Sequence, residues 1–265
     1  MNFVEHLPVT PAYAVSGLLV GVLVGMTGVG GGSLMTPLLV LLFGFHPTTA
    51  VGTDLLFAAA TKTVGTTIHS AGKTVDWRIV RRLAAGSVPS TIICVAVIAY
   101  CGVESKAVMK AVSLTLGVAL ILSAVMLLFK GLLMAAVSRE FPRAGLESPA
   151  WLTVLTGFIL GMLVSFSSVG AGALGTVVLV MLYPRLPMVR IVGSDIAHAV
   201  PLTLLAGMGH WYLGTINFHV LVPLLAGSIP GIIAGSYLAR YANDRVLKLC
   251  LGAILAVMGG KMLAR

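Results

Sequence analysis

The chain has 265 residues, 58% of them hydrophobic and 9% charged, against roughly 25% charged in an average soluble domain. One soluble core cannot hide that much apolar surface, so a soluble enzyme, a nucleic-acid-binding protein and a secreted disulfide scaffold are excluded, and an all-α polytopic membrane protein is expected. The net charge of +9 then belongs to loops that set orientation in the bilayer, not to a nucleic-acid partner.

In chain order, apolar segments run over 11–28, 31–45, 48–71, 83–101 and 107–129. A polar stretch at 130–149 follows, then five more segments over 151–168, 171–183, 188–212, 219–239 and 246–263. The N-terminus has no positive region ahead of its first apolar run, so no cleaved signal peptide is expected. The expected organisation is a first transmembrane repeat at 1–129, a cytoplasmic linker at 130–149 and a second repeat at 150–265, forming one integral membrane unit.

The repeat is read from a fixed offset of 141 residues. It superposes Gly31 on Gly172, Val51-Gly52 on Val192-Gly193, Asp54 on Asp195, His69 on His210 and Thr74 on Thr215. It also superposes Ala85-Gly86-Ser87-x-Pro89 on Ala226-Gly227-Ser228-x-Pro230. Five segments per copy predict that the second copy enters from the opposite side. The charges agree: residues 73–82 include Lys73, Arg78, Arg81 and Arg82, whereas 214–223 contain no Lys or Arg. Conversely, 44–50 are free of them while Arg185 and Arg190 occupy the partner loop. Inverted repeats are therefore expected. Loops near 73–82, 130–149, 184–190 and 240–248 would be cytoplasmic and both termini outside, although Lys261 and Arg265 pull the other way.

Segments 31–45 and 171–183 are short for a crossing, and each has glycine-rich sequence at its start. Glycine runs at membrane depth predict broken or hairpin helices lining a cavity. Their free N–H groups suit an anion. Gly30, Gly31, Gly32 and Ser33 in the first copy, with Gly170, Gly172 and Gly175 in the second, are candidate substrate-binding positions. Gly21, Gly25, Gly157 and Gly161 are read as close helix packing. The glycines lack dinucleotide-fingerprint spacing.

The third segment of each copy carries the ionisable residues. Asp54, Lys62 and His69 fall within about 80° on one helix face. Asp195, His198 and His210 likewise share one helix face in the second copy, with Thr203 where the first has Lys62. Intramembrane ionisable residues mark function by default. Asp54 and Asp195 have a second reading as helix caps, and His69 and His210 as interfacial groups. Lys62, mid-segment and without a repeat partner, is read as functional. Pro201 predicts a kink. Cys94, Cys101 and Cys250 are read as small core residues, the methionines as packing, and Trp77, Trp151, Trp211 and Tyr212 as an interfacial belt.

These features together resemble the TauE/SafE family. The resemblance rests on Gly25-Met-Thr-Gly-Val-Gly-Gly-Gly32, on Val51-Gly52-Thr53 and Val192-Gly193-Ser194, and on His69 and His210. Val75-Asp76-Trp77 and Gly86-Ser87-Val88-Pro89 extend it. It implies a multi-pass secondary transporter of the bacterial inner membrane, not an enzyme and without a cofactor, for small sulfur-containing anions such as sulfite, thiosulfate, sulfoacetate or organosulfonates. The paired aspartates and Lys62 depart from the family pattern and suggest a subgroup. On this reading the glycine N–H groups and the hydroxyls of Ser33, Thr53 and Ser194 hold the anion and Lys62 supplies positive charge. Asp54, Asp195 or one of His69, His198 and His210 carries a coupling proton. The expected partners are a small anion and the lipid bilayer, with no nucleic acid and no bound metal. Two alternatives stand beside it: a passive anion channel, and a divalent-metal transporter using Asp54, Asp195, His69 and His210.

Overall fold

The computed structural model describes residues 9–27, 32–71, 74–140, 150–170, 172–238 and 244–264. Ten helices and no strand occur among these residues: α1 (Val9–Thr27), α2 (Gly32–Leu41), α3 (Pro47–Ala71), α4 (Trp77–Cys101), α5 (Lys106–Glu140), α6 (Ala150–Ser167), α7 (Ala173–Leu182), α8 (Met188–Tyr212), α9 (Phe218–Leu238) and α10 (Asp244–Leu263). Six stretches, in α4, α5, α6, α8, α9 and α10, are long and apolar enough to span a bilayer. By contrast α2 and α7 have 10 residues each, roughly 15 Å at 1.5 Å per residue and about half a hydrocarbon core. The short segments are therefore half-helices, as the glycine runs predict.

Two boundaries differ from the sequence reading. α4 begins at Trp77 because Asp76 caps it, accepting the Arg78 N–H at 3.0 Å. Arg78, Arg81 and Arg82 thus belong to its first turns instead of a loop. α5 continues past residue 130 to Glu140, since nothing in Lys130–Glu140 breaks a helix.

The helices pair across the two halves of the chain: α1 packs on α9, α4 on α6, α5 on α10 and α3 on α8. Lipid offers no hydrophobic drive between helices, so association rests on close backbone approach. A Cβ on Gly17, Gly21 or Gly25 would strike the α9 backbone at Leu224, Ser228 or Ile232. On α6, a Cβ at Gly157 or Gly161 would strike α4 at Leu83 or Ser87. The packing role read for these glycines is the one they have.

At the centre α3 and α8 run antiparallel. Gly52, near the start of α3, lies against His210 and Thr215 at the end of α8. Gly193, near the start of α8, lies against Thr74 just beyond α3. Pro201 sits within an uninterrupted α8. Of the cysteines only Cys94 is buried; Cys101 and Cys250 are exposed, which corrects the core reading for those two. Their helix positions face outward, where an apolar thiol is tolerated as well as inside. Trp77, Trp151, Trp211 and Tyr212 are exposed at helix ends, where a belt belongs.

Candidate functional site

Asp54 and Asp195 lie two turns inside α3 and α8, so neither caps its own helix, and both are completely buried. A buried carboxylate needs donors, and each finds them on the half-helix that precedes it in sequence. Asp54 Oδ2 accepts the Thr36 N–H at 3.1 Å and also the Thr36 hydroxyl. Asp195 Oδ2 accepts the Thr176 hydroxyl at 3.0 Å, and the Gly172 N–H also bonds this carboxylate. The anion at the N-terminal end of each half-helix is thus one of the protein's own aspartates. A Cβ on Gly175 would overlap Asp195 Oδ1, so that glycine makes room for the carboxylate.

The break before α7 bends sharply. Ser168 has φ 58°, Gly170 φ 129° and Gly172 φ 127°, conformations that favour glycine at the latter two. Ser168 faces Asp54 from this break. In the first copy, Gly30 and Gly31 lie outside the described residues, while Gly32 opens α2 and Ser33 is buried within it.

Lys62 follows Asp54 by two turns on α3 and is buried. It acts electrostatically on Asp195 and Asp54 and on His198. A buried cation is tolerated where opposite charges surround it, and α3 and α8 each supply one. Four buried atoms in or beside this group have no partner within hydrogen-bond distance among the described residues: Asp54 Oδ1, Asp195 Oδ1, His198 Nδ1 and the Ser168 Oγ that faces Asp54. Buried polar atoms are nearly always paired in native proteins. The unpaired set therefore marks this cluster as the candidate site.

The two remaining histidines part company. His210 is fully held: Nε2 lies 3.1 Å from the Ser165 carbonyl and Nδ1 3.0 Å from Thr215 Oγ1. His69 belongs to α3, and its side chain lies outside the described residues. Thr53 and Ser194, expected to touch substrate, have local partners. Ser194 Oγ accepts the Asp76 N–H at 2.8 Å and donates to the Arg190 carbonyl at 2.7 Å. Thr53 Oγ1 accepts the Asn217 N–H at 3.1 Å. The first bond ties the start of α8 to the residue that caps α4, and the second ties the start of α3 to the residue just before α9. An ion pair of Arg190 with Asp76 at 3.8 Å strengthens only the first.

The sequence does not single out Thr36, Thr176 or Ser168, and it shows Ser87 only as part of a repeated motif. A signal existed for the threonines: each stands 18 or 19 residues before its aspartate. Among the described residues no group of three His, Cys, Asp or Glu side chains is placed to hold a metal.

The family profile described as sulfite exporter TauE/SafE matches residues 13–262. The chain is 35% identical to the probable membrane transporter protein YjnA of Bacillus subtilis (strain 168) over 248 residues, which cover 93% of this chain and 97% of that one. It is 25% identical to the probable membrane transporter protein MJ0441 of Methanocaldococcus jannaschii, over 98% of this chain and 97% of the relative. No solved structure matches it significantly. With a bundle of apolar helices, two half-helices and a profile match over nearly the whole chain, the protein belongs to the TauE/SafE family of membrane transporters.

Proposed function

We propose that the protein is a secondary active transporter that carries small sulfur-containing anions, such as sulfite, thiosulfate, sulfoacetate or an organosulfonate, across the bacterial inner membrane together with protons. The family description supports the substrate class. The observation that carries the mechanism is Lys62, a buried lysine on whose charge two buried aspartates act electrostatically.

An anion entering beside Lys62 meets Asp54 and Asp195 as competitors of the same sign. A proton taken by the unpaired Oδ1 of either aspartate removes one of those charges, and the anion then takes over the balancing of Lys62. When the anion leaves on the other side, the aspartate returns its proton to solvent and resumes its place. Anion and proton therefore travel in the same direction. Access alternates through the two ends of the α3–α8 seam, closed by Ser194 with Asp76 at one end and Thr53 with Asn217 at the other. The antiparallel crossing of α3 and α8, and the basic residues in 73–82 against none in the equivalent 214–223, support an inverted repeat in which one copy rocks against the other. His210, with both nitrogens engaged, serves this reading as a pin between α8 and α6.

The test is uptake into proteoliposomes of sulfite, thiosulfate, sulfoacetate, sulfate and acetate, with and without an imposed pH gradient. Accumulation of a sulfur anion above equilibrium only with the gradient supports the reading. Leak that no gradient drives uphill points to a channel.

A further inference from the structure

His198 is completely buried on α8, one turn from Asp195. Its Nε2 lies 2.8 Å from Ser87 Oγ on α4. The bond admits either imidazole tautomer; in one of them the Ser87 hydroxyl donates to Nε2. An imidazole that accepts at Nε2 carries its own proton on Nδ1. Nδ1 is buried and has no partner among the described residues. In that tautomer it is an N–H donor with no acceptor among them, in a group that also holds Lys62.

The repeat sharpens this. The position of His198 is Phe57 in the first copy, and that of Lys62 is Thr203 in the second. Ser228, the counterpart of Ser87, turns back to the Leu225 carbonyl at 3.4 Å, and Thr203 turns back to Ala199 at 2.8 Å. Symmetric positions are thus filled by a phenyl ring and self-satisfied hydroxyls. The two departures from symmetry, a cation and an N–H donor, meet at one site. Neither Asp54 nor Asp195, with their bare oxygens, can offer a donor while ionised.

We propose that His198 is a neutral recognition residue that donates Nδ1–H to an oxygen of the substrate oxyanion beside Lys62, with Ser87 as the positioning residue that fixes the tautomer. The proposal rests on the anion-transport reading above. It assigns the coupling proton to the aspartates and removes His198 from that role. A tetrahedral or planar oxyanion meets both groups, with one oxygen on Lys62 Nζ and another on Nδ1. A spherical halide offers no second oxygen.

Two isosteres separate the possibilities, since an Asn amide places its N–H near Nδ1 and a Gln amide near Nε2. The experiment measures KM and the proton-to-anion ratio in proteoliposomes for wild type, His198→Asn, His198→Gln and Ser87→Ala, each first checked for monodisperse elution. His198→Gln is expected to raise KM for the sulfur anion about tenfold or more, as for a lost hydrogen bond to a charged group. His198→Asn stays within a few-fold of wild type and Ser87→Ala falls between, with the ratio unchanged in all. Unchanged KM in His198→Gln overturns the proposal, as does an altered proton-to-anion ratio, which makes His198 a proton carrier. If wild type moves no sulfur anion, it is the underlying transport reading that fails. If His198→Gln does not fold, Ser87→Ala decides alone: a raised KM at constant ratio supports the proposal, and an unchanged KM overturns it.

Discussion

Asp54 accepts both the backbone N–H and the hydroxyl of Thr36 through a single carboxylate oxygen. The bond pair ties the half-helix α2 to the long helix α3. It also places a negative charge at the positive end of α2, which an external anion would otherwise seek. Asp195 and Thr176 do the same for α7 and α8.

Replacing Thr36 by Val keeps the volume and removes the hydroxyl donor. A hydrogen bond to a charged group contributes about 1.5–3 kcal/mol, so Thr36→Val should melt several degrees below wild type in detergent, and Thr36→Ser should not. Equal melting of Val and Ser variants would detach the hydroxyl from the stability of this joint.

Truncating Lys62 leaves two buried carboxylates without their cation. Breaking a buried charge group by removing one partner costs about 3–5 kcal/mol. Lys62→Met is therefore expected to lose both thermal stability and uptake, and adding Asp195→Asn should recover much of the stability without recovering uptake. Wild-type transport by Lys62→Met would remove the lysine from the mechanism.

Much of this site could be read in advance, and the reason is local. Lys62, Asp54, Asp195 and His198 announce themselves as ionisable residues in apolar helices, where each is expensive. The half-helices follow from glycine at membrane depth, and the packing glycines from their spacing. What α2 and α7 bind did not follow. Sequence pointed to a free anion at their N-terminal ends, whereas Asp54 and Asp195 occupy those ends, because the pairing depends on how α3 folds back along α2. The ties made by Thr53 and Ser194 do not show in the sequence for a similar reason: their partners, Asn217 and Asp76, stand 164 and 118 residues away. The early start of α4 was missed because the basic residues after Asp76 disguised a capped helix as a loop.

Two glycines give opposite predictions. A Cβ at Gly175 would overlap Asp195 Oδ1, while one at Gly260 meets nothing within 4 Å. Gly175→Ala should destabilise by about 1–3 kcal/mol, as overpacking does, and should impair uptake. Gly260→Ala should be neutral or stabilise by up to about 1 kcal/mol, as in any open helix site. Paired melting curves check both signs.

The closure at Asp76 has two parts of different strength. Arg190 and Asp76 side chains are 43% and 20% exposed, so their pair contributes about 0–1 kcal/mol and weakens with salt. Ser194→Ala instead strips the acceptor from a backbone N–H, which costs about 1–3 kcal/mol. Arg190→Gln is expected to leave the melting point unchanged, and Ser194→Ala to lower it. The reverse order would mean that the ion pair is the principal tie at this end of the seam.

The most direct test of the account is the proton movement that accompanies the anion. Proteoliposomes loaded with a pH-sensitive dye, at equal pH inside and out, would receive an inward gradient of a fully ionised organosulfonate or thiosulfate, with the membrane potential clamped. Proton exchange at Asp54 and Asp195 beside Lys62 predicts that the interior acidifies as the anion enters, and that Lys62→Met abolishes both. Anion entry with a static or alkalinising interior would contradict it.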